Sequence, residues 1–142
     1  MVTATASGVM FSNQLKDKRY QIIHVVDRGE HRVLREAAEF AGLAYKDIDL
    51  SLVYPIDVEE IFKSLPDVPG VMVIKGYDSA DPYLQDLINF TVLYYEYRVM
   101  ITASKGVIPV SNKWKFVILA KPGYWFRNTI VYARSFHFDF GA

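Results

Sequence analysis

The chain has 142 residues, enough for one domain with a real core and too few for two of ordinary size; 51% are hydrophobic and 15% aromatic, which excludes a disordered chain. Lys+Arg and Asp+Glu each number 16, so the formal net charge is zero; a generic nucleic-acid binder carries a basic excess, and a neutral chain has little to discourage self-association. There is no cysteine, which excludes disulfides, thiolate metal sites and cysteine catalysis.

Residues 1–14 are small and polar apart from Met10 and Phe11. With the charged lead-in 16–19 they read as an N-terminal arm (1–19) before a single domain (20–142). Residues 20–26 (YQIIHVV) form the first expected strand, with a turn at Asp27-Arg28-Gly29. A helix follows over 30–41, where Val33, Leu34, Ala37, Ala38 and Ala41 share a face and Gly42 stops it. Residues 45–50 alternate and suit a strand near a sheet edge; 57–65 form a short helix ended by Pro66. The run 71–74 (VMVI) reads as the central strand, covered on both faces. Asp81 then caps a long helix over 82–97, with Pro82 at its first position. Residues 98–102 and 107–110, around Ala103-Ser104-Lys105-Gly106, read as a β-hairpin. The strand 114–120, a loop with a short helix over 124–134, and the strand 136–140 complete the chain. Strand and helix alternate, which argues for a parallel sheet with helices on both faces. No apolar run approaches the ~20 residues of a membrane span and no signal-peptide pattern opens the chain, so the expected location is the cytoplasm. Few amides and no cysteine also fit a heat-adapted source.

This order of motifs resembles the αβα core of an AAA+ ATPase, in the MoxR, midasin and dynein-like branch of the P-loop NTPases. The stretch LREAAEFAGLAYKDIDLS is similar to that family's first helix and second strand, and VMVIKGYDSADPYLQDLI to its Walker B strand and following helix start. SNKWKFVILAKPG is similar to the sensor 1 strand, ARSFHFDF to the closing "R-F" segment, and the 98–110 hairpin to an insertion before sensor 1. The resemblance spans roughly residues 20–140 and implies a three-layer αβα fold with a mostly parallel five-stranded sheet in the order 5-1-4-3-2. The family's helical lid would follow residue 142, so a lidless domain is expected.

The departures from that family fall on the chemistry. Its phosphate loop places a lysine on the β/γ-phosphates and a hydroxyl on magnesium. Here the turn is shortened, Glu30 stands after Gly29 in the place of the lysine, and His31 replaces the hydroxyl. At an effective dielectric of about 20, unit charges about 4 Å apart interact by about 4 kcal/mol, and a carboxylate reverses the sign of that attraction. Walker B should be Asp-Glu; this chain has Lys75-Gly76, which repels a metal and removes the base. The polar sensor 1 residue is lost around Ala120-Lys121. The expectation is a pseudo-ATPase with no catalytic residue, no metal, no cofactor and no bound nucleotide. Glu30 and Lys75, having exchanged charge, could pair across the site, for only ~0–1 kcal/mol if exposed.

Arg134 is the position that the resemblance marks as an arginine finger able to reach a neighbouring subunit; read from the residues alone it is a surface arginine in a loop. His24 and His137 read as core or edge histidines, Asp78 as positioning its turn and Asp81 as a cap. Lys105 at the hairpin tip, with Arg98, Lys113, Lys115 and nearby aromatics, keeps open a nucleic-acid accessory function as the alternative. A nucleotide-binding protein with altered chemistry is a further alternative. The favoured expectation is a scaffold for assembly with another protein or with itself.

Overall fold

Three runs of β-branched and aromatic residues, IIHVV, GVMVIK and WKFVILA, are each buried almost throughout, as strands covered on both faces must be. In the computed structural model, which describes residues 6–17, 19–29, 31–104 and 113–141 (side chains of 6–7 and 98–104 excepted), they are the inner strands of one sheet. The chain runs α1 (Ala6–Leu15), β1 (Ile22–Val26), α2 (His31–Phe40), β2 (Ala44–Asp49), α3 (Pro55–Lys63), β3 (Gly70–Lys75) and a 3-10 turn (Tyr77–Ser79). It continues with α4 (Pro82–Ser104), β4 (Trp114–Ala120), α5 (Thr129–Arg134) and β5 (Ser135–Phe138). All four strand pairings are parallel, and the order is β2-β3-β4-β1-β5, which is the expected 5-1-4-3-2 read from the other edge.

Strand alternation sorts the core into two layers. Ile23, Val25, Val71, Val73, Val117 and Leu119 face Phe11 and Leu15 of α1 and Leu34, Ala37 and Ala38 of α2. Ile22, Met72, Ile74, Phe116 and Ile118 face α3 and α4. Helix α2 ends as its sequence requires: Gly42 takes φ +74°, Leu43 N–H donates to the Ala38 carbonyl at 2.9 Å, and the chain turns into β2.

Two expectations are corrected. Residues 6–15 are no arm but a helix, because Phe11 and Leu15 are buried and the Phe11 ring packs 5.3 Å from Phe138 and 5.4 Å from Phe140. Residues 98–104 are not a hairpin arm; α4 continues through them, the helix already under way overriding their β-branched composition. The remaining hairpin residues, Lys105 included, lie outside the described residues. The strand over 71–74 is an interior one as expected, lying between β2 and β4 and buried up to Lys75. Among the described residues no helix is long and apolar enough to cross a membrane.

Candidate functional site

The C-terminal edge of a parallel sheet is where such folds bind ligands. Here that edge carries the turn after β1, the turn after β3 and the turn after β4. Asp27 N–H donates to the Ala120 carbonyl at 2.8 Å, so the first and third turns leave the sheet side by side.

The β1 turn is closed by its own side chains. The Asp27 carboxylate accepts the Gly29 N–H at 3.0 Å and faces His31 Nε2 at the same distance. Gly29 has φ +82°, a conformation that glycine adopts freely. A carboxylate of the chain therefore sits where the backbone N–H of a phosphate loop would meet an anion. Arg28, the nearest cation, makes a bidentate pair with Asp139 beyond β5, at 2.7 and 2.9 Å. That guanidinium, with the Gly141 N–H, holds the Asp139 carboxyl down to about 2. Between Asp27, Arg28, His31, Leu34, Leu119 and Phe140 remains a cavity of only about 10 Å³. That volume admits about one water. Glu30 lies outside the described residues.

The β3 turn is likewise committed. Lys75 does not turn toward the β1 loop; its Nζ lies 3.3 Å from Asp47 on β2, whose carboxylate also has Arg35 of α2 at 3.7 Å. Asp49, opposite Lys75 in the ladder, accepts the Ser51 hydroxyl at 2.7 Å and its N–H at 2.9 Å, which hold that carboxyl below its usual range. Gly76 has φ +73°, and a side chain there would start 3.2 Å from the Asp49 carboxylate. The result is a basic cluster on a carboxylate-bearing edge strand, the inverse of a metal site. Among the described residues no three His, Asp or Glu side chains converge as a metal site requires.

Behind Gly76 lies a buried polar network. Tyr77 donates its hydroxyl to Asn89 of α4 at 2.6 Å, and Gln85 Nε2 donates to the Tyr77 carbonyl at 2.5 Å and reaches the Tyr124 hydroxyl at 3.0 Å. Arg127 extends it to Gln85, at 3.3 Å, and to Asp86, at 3.1 Å. Burial pushes the Tyr77 phenol up to about 12. Asp78 accepts the Lys121 N–H at 2.6 Å, and Asp81 accepts the Tyr83 N–H at 2.9 Å, so both carboxylates hold turns as expected. The turn that resembles Walker B is thus a structural joint between β3, α4 and the β4–β5 connection. Tyr77→Phe is expected to lower stability by about 1–2 kcal/mol, because buried Asn89 loses its donor, and Asn89→Leu added to it should recover part of the loss in urea unfolding.

The remaining site residues fall elsewhere. Arg134, half exposed at the end of α5, pairs through Nε with the buried Glu96 of α4 in the same chain. Lys115 points inward: its Nζ donates to the carbonyls of Asp17 and, at 2.7 Å, Tyr20, and burial lowers its ammonium to about 8. It ties the α1–β1 link to β4 and is not available to a nucleic acid. Trp114 and Phe116 are buried, and Tyr95 packs on Phe62 and Phe116. His24 and His137 meet across β1 and β5, with Nδ1 atoms 3.0 Å apart. A shallow cleft of about 380 Å³ lies beyond β2 and β3 between Leu50, Val53, Gly76, Ser79, Asp81 and Leu84. Sequence reasoning missed the Tyr77–Gln85–Asn89 network, although two amides four residues apart on an apolar helix point to it. It also missed the Asp27 carboxylate as the ligand of its own turn. No family model matches the chain, and no curated protein matches it in sequence.

Proposed function

We propose that the chain is a degenerate AAA+-like domain that does not hydrolyse nucleotide and acts as a scaffold for assembly with another protein or with itself. The parallel order β2-β3-β4-β1-β5 supports the first part, together with the motif order along the chain. The observation that carries the loss of chemistry is the Asp27 carboxylate bound to the Gly29 N–H at 3.0 Å. An anion already occupies the turn, so a triphosphate would have to displace it and face the negative charge. Lys75 adds the second obstacle: paired with Asp47, it brings a positive charge to the strand end from which magnesium would be held. Gly76 stands where the resemblance calls for the base of Walker B and has no side chain to act as one. What survives is a packed core with exposed aromatic side chains on its outer helices that can act as contact surfaces.

Calorimetric titration with Mg-ATP, and Mg-ADP as control, tests this reading. The expected result is no heat and no change in melting temperature at millimolar nucleotide. A binder at 100 times its Kd would gain about 2.7 kcal/mol of stability, which such a scan detects readily. Saturable micromolar binding would overturn the proposal and favour the altered-nucleotide alternative.

A further inference from the structure

Helix α4 is apolar on more than one side, and only part of that surface meets the core. Leu84, Ile88 and Val92 are buried against the sheet. Tyr95 reaches α3 through Phe62, and Asp86 and Glu96 are paired with Arg127 and Arg134 on the other flank. The outward stripe carries Tyr83, Phe90, Tyr94 and Tyr97, which are 63%, 75%, 50% and 59% exposed. An isolated exposed aromatic needs no explanation, but four along one helix form a continuous patch, and such patches mark contact surfaces.

We infer that this face of α4 is the interface of a homodimer, in which two copies of the helix pack antiparallel across a two-fold axis at Phe90. Three observations commit the occupant to a second copy. First, Tyr83 and Tyr97 each lie seven residues from Phe90, and seven residues return an α-helix to nearly the same side. These three rings therefore lie on one side of α4, and an antiparallel two-fold axis at Phe90 would set Phe90 on Phe90 and Tyr83 on Tyr97 of the other copy, ring against ring. Second, at roughly 200 Å² per ring residue, the stripe leaves about 500 Å² per copy. Two copies would bury about 1,000 Å², the size at which specific interfaces begin. Third, Asp86 and Glu96, the described charges beside the stripe, are already paired within each copy, and the chain carries no net charge, so association meets no overall repulsion. The tyrosine hydroxyls keep a wet rim around the ring faces.

The inference deepens the scaffold reading by naming surface and partner, and its test is independent of nucleotide. Sedimentation equilibrium of the full chain is expected to give a dimer in the micromolar range, weakened at least ~30-fold by Phe90→Glu. The chain has no cysteine, so introduced thiols report geometry cleanly. Phe90→Cys should form a disulfide-linked dimer under mild oxidation. Tyr83→Cys should link to Tyr97→Cys when the two proteins are mixed, but not to itself. The thiol experiment decides the matter if Phe90→Glu does not fold. A chain that stays monomeric at high micromolar concentration overturns the inference, as does a dimer in which Phe90→Cys fails to link. Either outcome, with no nucleotide bound, would leave the non-hydrolytic reading standing.

Discussion

Gly70→Val is expected to remove ~3 kcal/mol or more of stability, and Gly70→Ala ~1–3 kcal/mol, because both overfill a packed strand junction. Gly70 opens β3 directly opposite Trp114, the first residue of β4. The buried indole lies flat over it: a Cβ on Gly70 would stand 2.6 Å from Cη2 and 2.7 Å from Cζ2 and Cζ3. The ring has no easy retreat, since its Nε1–H donates to the Pro66 carbonyl at 2.9 Å. Glycine is therefore required at this position for space. Strand propensity favours valine over glycine, but that scale spans only ~1 kcal/mol and loses to the clash. Urea unfolding of both variants checks the size. In a Trp114→Phe background the Gly70→Ala loss should shrink, which would trace it to the indole and not to the strand itself.

The same junction shows what the sequence discloses and what it conceals. The inner strands were legible because β3 and β4 carry the apolar runs 71–74 and 116–120, and the edge strand because 45–50 alternates. The parallel order came from the motif series, and the ends of α2 and α4 from Gly42 and from Asp81-Pro82. Helix α1 stayed hidden, because one phenylalanine and one leucine among small polar residues make a weak stripe, and their partners, Phe138 and Phe140, lie at the far end of the chain. The tail of α4 was hidden for the opposite reason: local strand propensity at 98–104 spoke against a helix that its first turns had already begun.

At the C-terminal edge of the sheet, the sequence showed that the residues the resemblance calls for are absent but not what stands in their place. A Glu30–Lys75 pair needed Lys75 to lean toward β1. The amine instead goes to Asp47, two residues before the Asp49 that faces it across the ladder, because that carboxylate is on the same face of the neighbouring strand. Cross-strand charge of this kind follows from register, which a one-dimensional reading does not supply. The consequence is that this end of the sheet is closed by its own side chains. Its turns are pinned by Asp27, Asp49, Asp78 and Asp81, each satisfied within the chain.

Acidification supplies the second large effect. His24 is only 8% exposed, on a strand with neighbours on both sides. The Tyr132 carbonyl lies 3.0 Å from His137 Nε2, so that nitrogen carries the proton, and in the neutral ring Nδ1 is bare. His24 Nδ1–H donates to it at 3.0 Å, leaving His24 Nε2 buried without a partner beside the Phe126 ring. A second proton on His24 would have no acceptor. Burial first, then repulsion from His137, lowers His24 from 6.5 to about 4, against a weaker opposing pull from Asp139. Its folded value is therefore below its unfolded value, so the unfolded chain takes up a proton that the folded chain refuses. Stability from this group is complete above pH ~6.5 and drains away as pH falls toward ~4, by about 2–3 kcal/mol over the window. Asp17 and Asp139, both held down to about 2, lose their contributions only below ~3.8, so the two phases separate. Urea midpoints measured from pH 7 to 4.5 should fall steeply in the native chain and stay nearly flat for His24→Leu, which keeps the bulk and removes the titration. A native chain with equal midpoints at both ends of that range would show that His24 takes its proton within the fold, and the tautomer assignment across β1 and β5 would be wrong.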